Sequence, residues 1–353
     1  MNDVPQSYLD AVKAEWNLWA PHVSRRYELR SVYIGGGTPS LLNGAQVYSI
    51  LASLVSVLPV SQDCEITLEG NPDSLDFTTV CQYAEAGVNR ISIGVQSFSD
   101  TALAVLGRLH TANEADRAVN AVRQAGIRNV SIDLMYGLPG SSEDDELRSL
   151  RHGIALAPEH ISWYNLTVAP GTPLASMVAA GSMTMPDDDK VLDIMRRGWQ
   201  CLASAGYRHY EVSNFCLRGY ASIHNVGYWT YKEYIGLGVG ASGFLEGRRW
   251  TNVGDWKAYR DRLERHVFPV GSEERLSKRA REGEYVMLRI RMPCVGLSYA
   301  DFRDMFGEDV HQVFGDALNR LADDGLITMQ PDRAVCTQRG LELNNIVAEA
   351  FIE

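Results

Sequence analysis

Tyr8, Val12, Trp16 and Trp19 recur at three- and four-residue spacing, and that period predicts an amphipathic helix over Ser7–Trp19. The pattern then changes. Ser31-Val-Tyr-Ile-Gly-Gly-Gly-Thr-Pro-Ser-Leu-Leu42 is β-branched and aromatic until it meets three glycines, as a strand does on entering a loop. A helix over Gly44–Val57, with Asn43 as N-cap, precedes a short strand Glu65–Glu69. The alternation repeats: helix Phe77–Ala86 ending at Gly87, strand Arg90–Gln96, helices Asp100–Leu106 and Glu114–Ala125, strand Asn129–Leu134. Helix Ser142–Ala157 follows, capped by Ser142 with Asp145 three residues on, and His160–Asn165 is the fifth strand.

Strand and helix alternating at this spacing imply parallel strands with right-handed crossovers, hence a doubly wound sheet or an α/β barrel. The strand ends favour the barrel. Gly35–Thr38, Glu69–Asn71, Gln96, Asp133 and Asn165 are polar or glycine positions at or just past five C-terminal strand ends, the rim where a barrel binds ligands. A bare triple glycine also suits a tight turn that needs only positive φ, and a lone acid at a strand end also suits a cap. Five such ends on one rim weigh toward a ligand. Trp163 and Tyr164 read as core of the fifth strand.

From Pro170 the pattern changes. The acidic run Pro186-Asp-Asp-Asp-Lys190 opens a helix to about Ala205 and complements its N-terminal dipole. Tyr207–Asn214 and Tyr220–Tyr231 follow, then Gly236-Leu-Gly-Val-Gly-Ala-Ser-Gly243. Gly238, Gly240 and Gly243 make a literal GxGxxG, but no helix opens directly after it and no ribose-binding acid follows, so it is a poor dinucleotide signature. Asp255–His266 reads as a helix and Pro269–Gly271 as a boundary. Helices over Glu273–Arg291, Tyr299–Met305 and Val310–Asp324, a strand pair over Leu326–Cys336 and a last helix Leu341–Phe351 suggest a winged-helix domain. Acids are interspersed throughout it, which favours packing or docking over DNA. The expected domains are thus 1–170, 171–268 and 269–353.

Composition narrows the function. With 353 residues and a formal charge of -11, the chain can bury a large core and is a poor partner for a nucleic-acid backbone. No apolar run approaches membrane-spanning length, and Met1–Tyr8 has neither the basic nor the apolar part of a signal peptide, so a cytoplasmic protein is expected, with peripheral membrane association left open. Cys64, Cys81, Cys201, Cys216, Cys294 and Cys336 are scattered, with no CxxC-type pair, and most of them read as buried thiols.

Gly35-Gly-Gly-Thr-Pro-Ser-Leu-Leu42, Leu68-Glu-Gly-Asn-Pro72, Asn89-Arg-Ile-Ser-Ile-Gly-Val-Gln-Ser-Phe98, Leu106-Gly-Arg-Leu-His110 and Ile132-Asp-Leu-Met-Tyr-Gly-Leu-Pro-Gly140 occur together and in order. Together they resemble the radical SAM proteins related to oxygen-independent coproporphyrinogen III dehydrogenase. Tyr210-Glu-Val-Ser-Asn-Phe215, His224-Asn-Val-Gly-Tyr-Trp229 and Gly236-Leu-Gly-Val-Gly240 are more similar to the sister group of HemW-like haem chaperones. The resemblance runs from about Tyr8 to the C-terminus.

It implies an α/β fold, a partial (β/α)6 TIM-like radical SAM barrel, holding S-adenosylmethionine across the strand ends. Gly36, Gly37 and Thr38 would line its methionine end, Arg108 would meet its carboxylate, and Glu69, Gln96 and Asp133 would contact the ammonium or ribose. Thr167 and Ser242 would lie beside the adenosine; at Ser242 many relatives of the resemblance have histidine. The family's CxxxCxxC loop, which holds a [4Fe-4S] cluster, would come before the first helix, where this sequence has six residues. Cluster ligands and a first barrel strand are therefore expected to be missing, leaving Val32–Ile34 at a sheet edge. A start at an internal Met, or a family member that has given up radical chemistry, would each explain it.

The function implied is that of a haem chaperone, binding haem and passing it to recipient haemoproteins, with S-adenosylmethionine and a cluster in the intact form. Two alternatives stand beside it: oxidation of coproporphyrinogen III in porphyrin biosynthesis, and a non-catalytic interaction protein. His224, among Tyr220, Tyr228 and Trp229, is the candidate haem ligand. His209, Tyr210 and Cys216 compete for that role, and a purely structural histidine is the other reading.

Overall fold

A computed structural model describes residues 4–24 and 26–352. The first residues of the N-terminal stretch read above lie outside them. In chain order the elements are α1 (Gln6–Val23), β1 (Leu29–Ile34), α2 (Gly44–Val55), β2 (Val60–Gly70), α3 (Phe77–Ala86), β3 (Arg90–Gln96), α4 (Asp100–Val105), α5 (Ala112–Gln124), β4 (Asn129–Tyr136), α6 (Glu143–Ala155) and β5 (His160–Asn165). Then come α7 (Pro173–Ala179), α8 (Asp188–Ser204), β6 (Arg208–Glu211), β7 (Asn214–Cys216), α9 (Ile223–Trp229), β8 (Ser242–Leu245), β9 (Arg248–Asn252), α10 (Trp256–Glu264) and β10 (Val270–Arg275). The chain closes with α11 (Lys278–Ile290), β11 (Leu297–Ser298), α12 (Tyr299–Phe306), α13 (Val310–Asp323), β12 (Ile327–Met329), β13 (Arg333–Cys336), α14 (Gln338–Glu342) and α15 (Asn344–Glu349).

Two expectations are corrected, and α7 was not anticipated. β2 starts at Val60, five residues before the reading, because its first turn of strand is polar and exposed and carries no apolar alternation. Pro173–Ala179 is a helix that buries none of its residues, so it leaves no core stripe to read. Val270–Arg275, read as a boundary and the start of a helix, is a strand paired antiparallel with β9, its charged side chains facing solvent.

By internal packing the chain forms two units: Met1–Arg30 with Tyr48–Cys64 and Ser222–Glu353, and Ser31–Val47 with Glu65–Ala221. The second unit carries the curled, half-barrel sheet, with strand order β1-β2-β3-β4-β5-β7-β6. β2, β3, β4 and β5 pair in parallel, and β7 and β6 add on antiparallel. β1 ends the order among the described residues. The sheet has two chemically distinct faces. Ile91, Ile93, Val95, Val130, Ile132, Leu134, Ile161 and Trp163 form the apolar one, fully buried. On it, a Cβ at Gly153 of α6 would meet Ile132 at 2.8 Å, and one at Gly198 of α8 would meet the Trp163 indole at 2.3 Å. The alternate residues are polar: Glu65, Thr67 and Glu69 on β2, Arg90, Ser92 and Gln96 on β3, Ser131 and Asp133 on β4, His160, Ser162 and Tyr164 on β5.

In the other unit α1 packs through Ala11 against Tyr259 and Leu263 of α10, and Trp19 stacks on Trp250 at 4.5 Å. Glu15, on the same stripe as those apolar residues, is fully buried and accepts hydrogen bonds from the Gly238 amide (2.8 Å), Asn252 Nδ2 (2.7 Å) and the Tyr259 hydroxyl (2.5 Å). That accounts for the glycine-rich run. Its Gly238, at φ +111°, turns an amide onto a carboxylate of the chain itself, which leaves the literal GxGxxG a structural role. The C-terminal part runs α11, β11, α12, α13, β12, β13, with strands in the order β11-β13-β12, the helix and strand succession of a winged helix. Among the described residues no helix is long and apolar enough to cross a membrane.

Candidate functional site

The glycine loop leaves β1 with Gly36 at φ +84° and Gly37 at φ +64°, conformations open to glycine, and a Cβ at either would meet nothing within 4 Å. Their backbone is therefore bare to a ligand. Glu69, at the end of β2, holds the loop: its carboxylate accepts from the Tyr33 hydroxyl at 2.7 Å and from the Gly36 amide at 3.2 Å. Burial pushes the Tyr33 phenol up and the Glu69 charge pushes it further, so that it stays a donor.

Beside it on the polar face, Asp133 accepts from Ser162 Oγ at 2.6 Å and from Ser92 Oγ at 3.3 Å. Desolvation raises its pKa, opposed by those hydroxyls and by the buried guanidinium of Arg90. Deeper in the unit, His160 is closed off by Ser131 Oγ on Nδ1 and the Tyr210 hydroxyl on Nε2, both at 2.8 Å, and burial holds it neutral.

Gln96 ends β3 in a left-handed conformation, φ +65°, at a break in the register with β4. Its Oε1 accepts from the Tyr164 hydroxyl at 2.7 Å. A Cβ built on Gly94 would lie 2.9 Å from Gln96 Nε2, 3.3 Å from Arg108 Nη2 and 3.6 Å from Asn71 Oδ1, so three polar groups converge where glycine leaves room. Arg108 is half-buried; its amide donates to the Leu103 carbonyl at 2.9 Å, but its guanidinium makes no hydrogen bond or ion pair among the described residues. A partly desolvated, unpaired guanidinium is a ready receptor for a carboxylate.

Gly36, Gly37, Glu69, Gln96, Arg108 and Asp133 thus all belong to one unit; Gly36 is bonded to Glu69, and Gln96 and Arg108 both lie over Gly94. Thr38 precedes a 3-10 turn at Pro39–Leu41. Thr167 is exposed two residues past β5. Ser242 lies in the other unit, on β8, its Oγ 2.9 Å from Thr251 Oγ1. Tyr164 is a correction: it is half-buried on the polar face and bonded to Gln96, whereas its neighbour Trp163 is core as expected. Residue type misled here, since an aromatic in a strand reads as core whichever face it takes.

His224, on α9 of the first unit, is partly exposed; its Nε2 is 2.9 Å from the Tyr228 hydroxyl, and the Tyr228 ring packs edge-on to Tyr234 at 4.6 Å. The rival haem ligands are already engaged. His209 is stacked on Phe215 at 4.2 Å and bonded to the Val212 carbonyl, with burial pulling its pKa down to about 4. The Tyr210 hydroxyl serves His160, and Cys216 is buried in β7. No three His, Cys, Asp or Glu side chains among the described residues gather as metal ligands. The described residues therefore do not fit a [4Fe-4S] cluster.

The Radical SAM superfamily pattern matches residues 17–152, and that of the HemN C-terminal domain matches 276–343. The chain is similar to the "Heme chaperone HemW" of Lactococcus lactis, 34% identical over 92% of this chain and 85% of that protein. The protein of the same name from Bacillus subtilis is 33% identical over 92% and 86%. That from Escherichia coli is 45% identical over 63% of this chain, a stretch spanning 58% of the relative's own length. Among solved structures, that described as "Coproporphyrinogen III oxidase (HemN) from Escherichia coli is a Radical SAM enzyme" superposes with a TM-score of 0.83 at 22% identity, covering 98% of this chain and 82% of that one. That likeness establishes the fold.

Proposed function

Since the chain belongs to the heme chaperone HemW family of radical SAM proteins, we propose that it binds haem in the cytoplasm and hands it to recipient haemoproteins. The observation that carries this reading is identity of 33–34% with named haem chaperones along 85–86% of their length. Oxidation of coproporphyrinogen III has behind it the fold likeness, the HemN C-terminal domain match and shared motifs, but no named relative of comparable identity.

Haem enters as cargo, and His224 is the residue we assign to its iron. The ring is partly exposed and its Nε2 faces a phenol, a partner that can give way to a metal, while Tyr228 and Tyr234 offer aromatic faces to a porphyrin. S-Adenosylmethionine is assigned to the other unit. Arg108 and the Gln96 amide take its carboxylate, Glu69 and Asp133 accept from its ammonium and hydroxyls, and Gly36, Gly37 and Thr38 give it bare backbone, with Thr167 at the margin. Ser242 retains only the place that family resemblance gives it.

Haem titration followed by the Soret band, then transfer to an apo-haemoprotein, tests the reading. Haem should bind, and His224→Ala should shift the band and weaken binding by about tenfold or more, the loss of an axial bond. An unchanged spectrum and affinity would remove His224 from the role. Failure of the unaltered chain to take up haem would remove the function itself.

A further inference from the structure

Ser162 and Tyr164 stand two apart on β5, so both side chains leave one face of the strand. Each is bonded to a polar residue of another strand: Ser162 to Asp133 at 2.6 Å, Tyr164 to Gln96 at 2.7 Å. The second bond decides which way an amide points. Gln96 has one acceptor oxygen and one NH2 group. With the oxygen taken by the phenol, the NH2 is turned toward the nook over Gly94, where Arg108 Nη2 also lies.

The alternative orientation would be harmful to binding. A flipped amide would turn its oxygen into the nook that the Arg108 guanidinium also lines, where it would compete for that charge and repel an incoming anion. The Tyr164 phenol is kept protonated by burial and by the nearby Asp133 carboxylate, so it is a dependable donor. Gln96 itself is 6% exposed and sits at φ +65°, a conformation that a residue with a Cβ holds only when its surroundings fix it.

We propose that Tyr164 is a positioning residue of the ligand site: by occupying the Gln96 amide oxygen it keeps Arg108 unpaired and commits two donors, the Gln96 NH2 and the Arg108 guanidinium, to the anionic group of the bound molecule. The proposal rests on the reading that this site takes a carboxylate-bearing ligand, S-adenosylmethionine.

The test is a double-mutant cycle on the full chain, with S-adenosylmethionine affinity read by calorimetry for the unaltered protein, Tyr164→Phe, Gln96→Met and the pair. Tyr164→Phe should weaken binding about five- to tenfold, the size of one lost hydrogen bond, and should have no effect once Gln96 is Met. An equal loss in both backgrounds would make Tyr164 merely structural and overturn the proposal. A second measurement needs no ligand: the side-chain amide resonances of Gln96 and the Nε–H of Arg108 should move in Tyr164→Phe, as the oxygen swings to the guanidinium. If both stay in place, positioning by Tyr164 is overturned whatever binds. If the unaltered chain takes no S-adenosylmethionine, the ligand reading fails, and those resonances still decide the role of Tyr164.

Discussion

Arg108 is the residue on which the proposed ligand site turns, because its guanidinium is charged, half-buried and unpaired among the described residues. Arg108→Lys keeps the charge and gives up the planar fork, so the affinity for S-adenosylmethionine should fall at least about tenfold, with the fold stability nearly unchanged. Equal affinity in a calorimetric titration would show that the guanidinium does not meet the carboxylate. Arg108 and the acids at the strand ends were legible in the sequence, since their place after β-branched runs betrays a rim. Glu15 was not read, although its signal was there: an acid on the stripe of Tyr8, Val12 and Trp19 has to find donors when the stripe is buried. Which donors it finds, the Gly238 amide among them, depends on residues more than 200 positions away, and no local pattern carries that.

At the scale of elements, the helices announce themselves at their starts. Ser142 and Asp145 bond each other's backbone as the sequence suggests, and Thr111 with Glu114 forms the same box at the head of α5. Asn43 caps α2, its Oδ1 accepting from the Gln46 amide at 3.0 Å. Thr111→Ala should lower the unfolding free energy by about 1 kcal/mol, measured by urea denaturation, while haem and S-adenosylmethionine binding stay as they were. A loss of several kcal/mol would mean that Thr111 does more than cap. Several elements the pattern missed bury little, namely α7, the outer part of β2, and β10, whereas β8 and β9 went unread although they bury Phe244 and Trp250. Hydrophobic period reports burial, so a strand or helix that faces solvent on most sides leaves no trace.

For the molecule as a whole, buried histidines contribute an acid-side loss of stability, which the raised carboxyls of Glu15, Asp133 and Glu146 oppose. His209 has its pKa pulled down to about 4 and His160 is held well below its usual value, in both cases by burial. The unfolded chain therefore binds protons that the folded one refuses, and stability is lost as pH falls from about 6.5 toward 4. Thermal unfolding should shift to lower temperature over that window, and His209→Phe, which keeps a ring stacked on Phe215, should flatten the slope. A slope unaffected by the substitution would assign the acid sensitivity elsewhere. The sequence by itself determined the order of the first five strands and their helices, the polar rim and the family, because hydrophobic period, capping residues and ordered motifs are local properties of a chain. Only the tertiary structure decided which polar groups are satisfied internally and which are left for a ligand. Glu15 and His160 are used up by partners brought from distant segments, whereas Arg108 is left without one, and that difference arises from packing many strands and helices together at once.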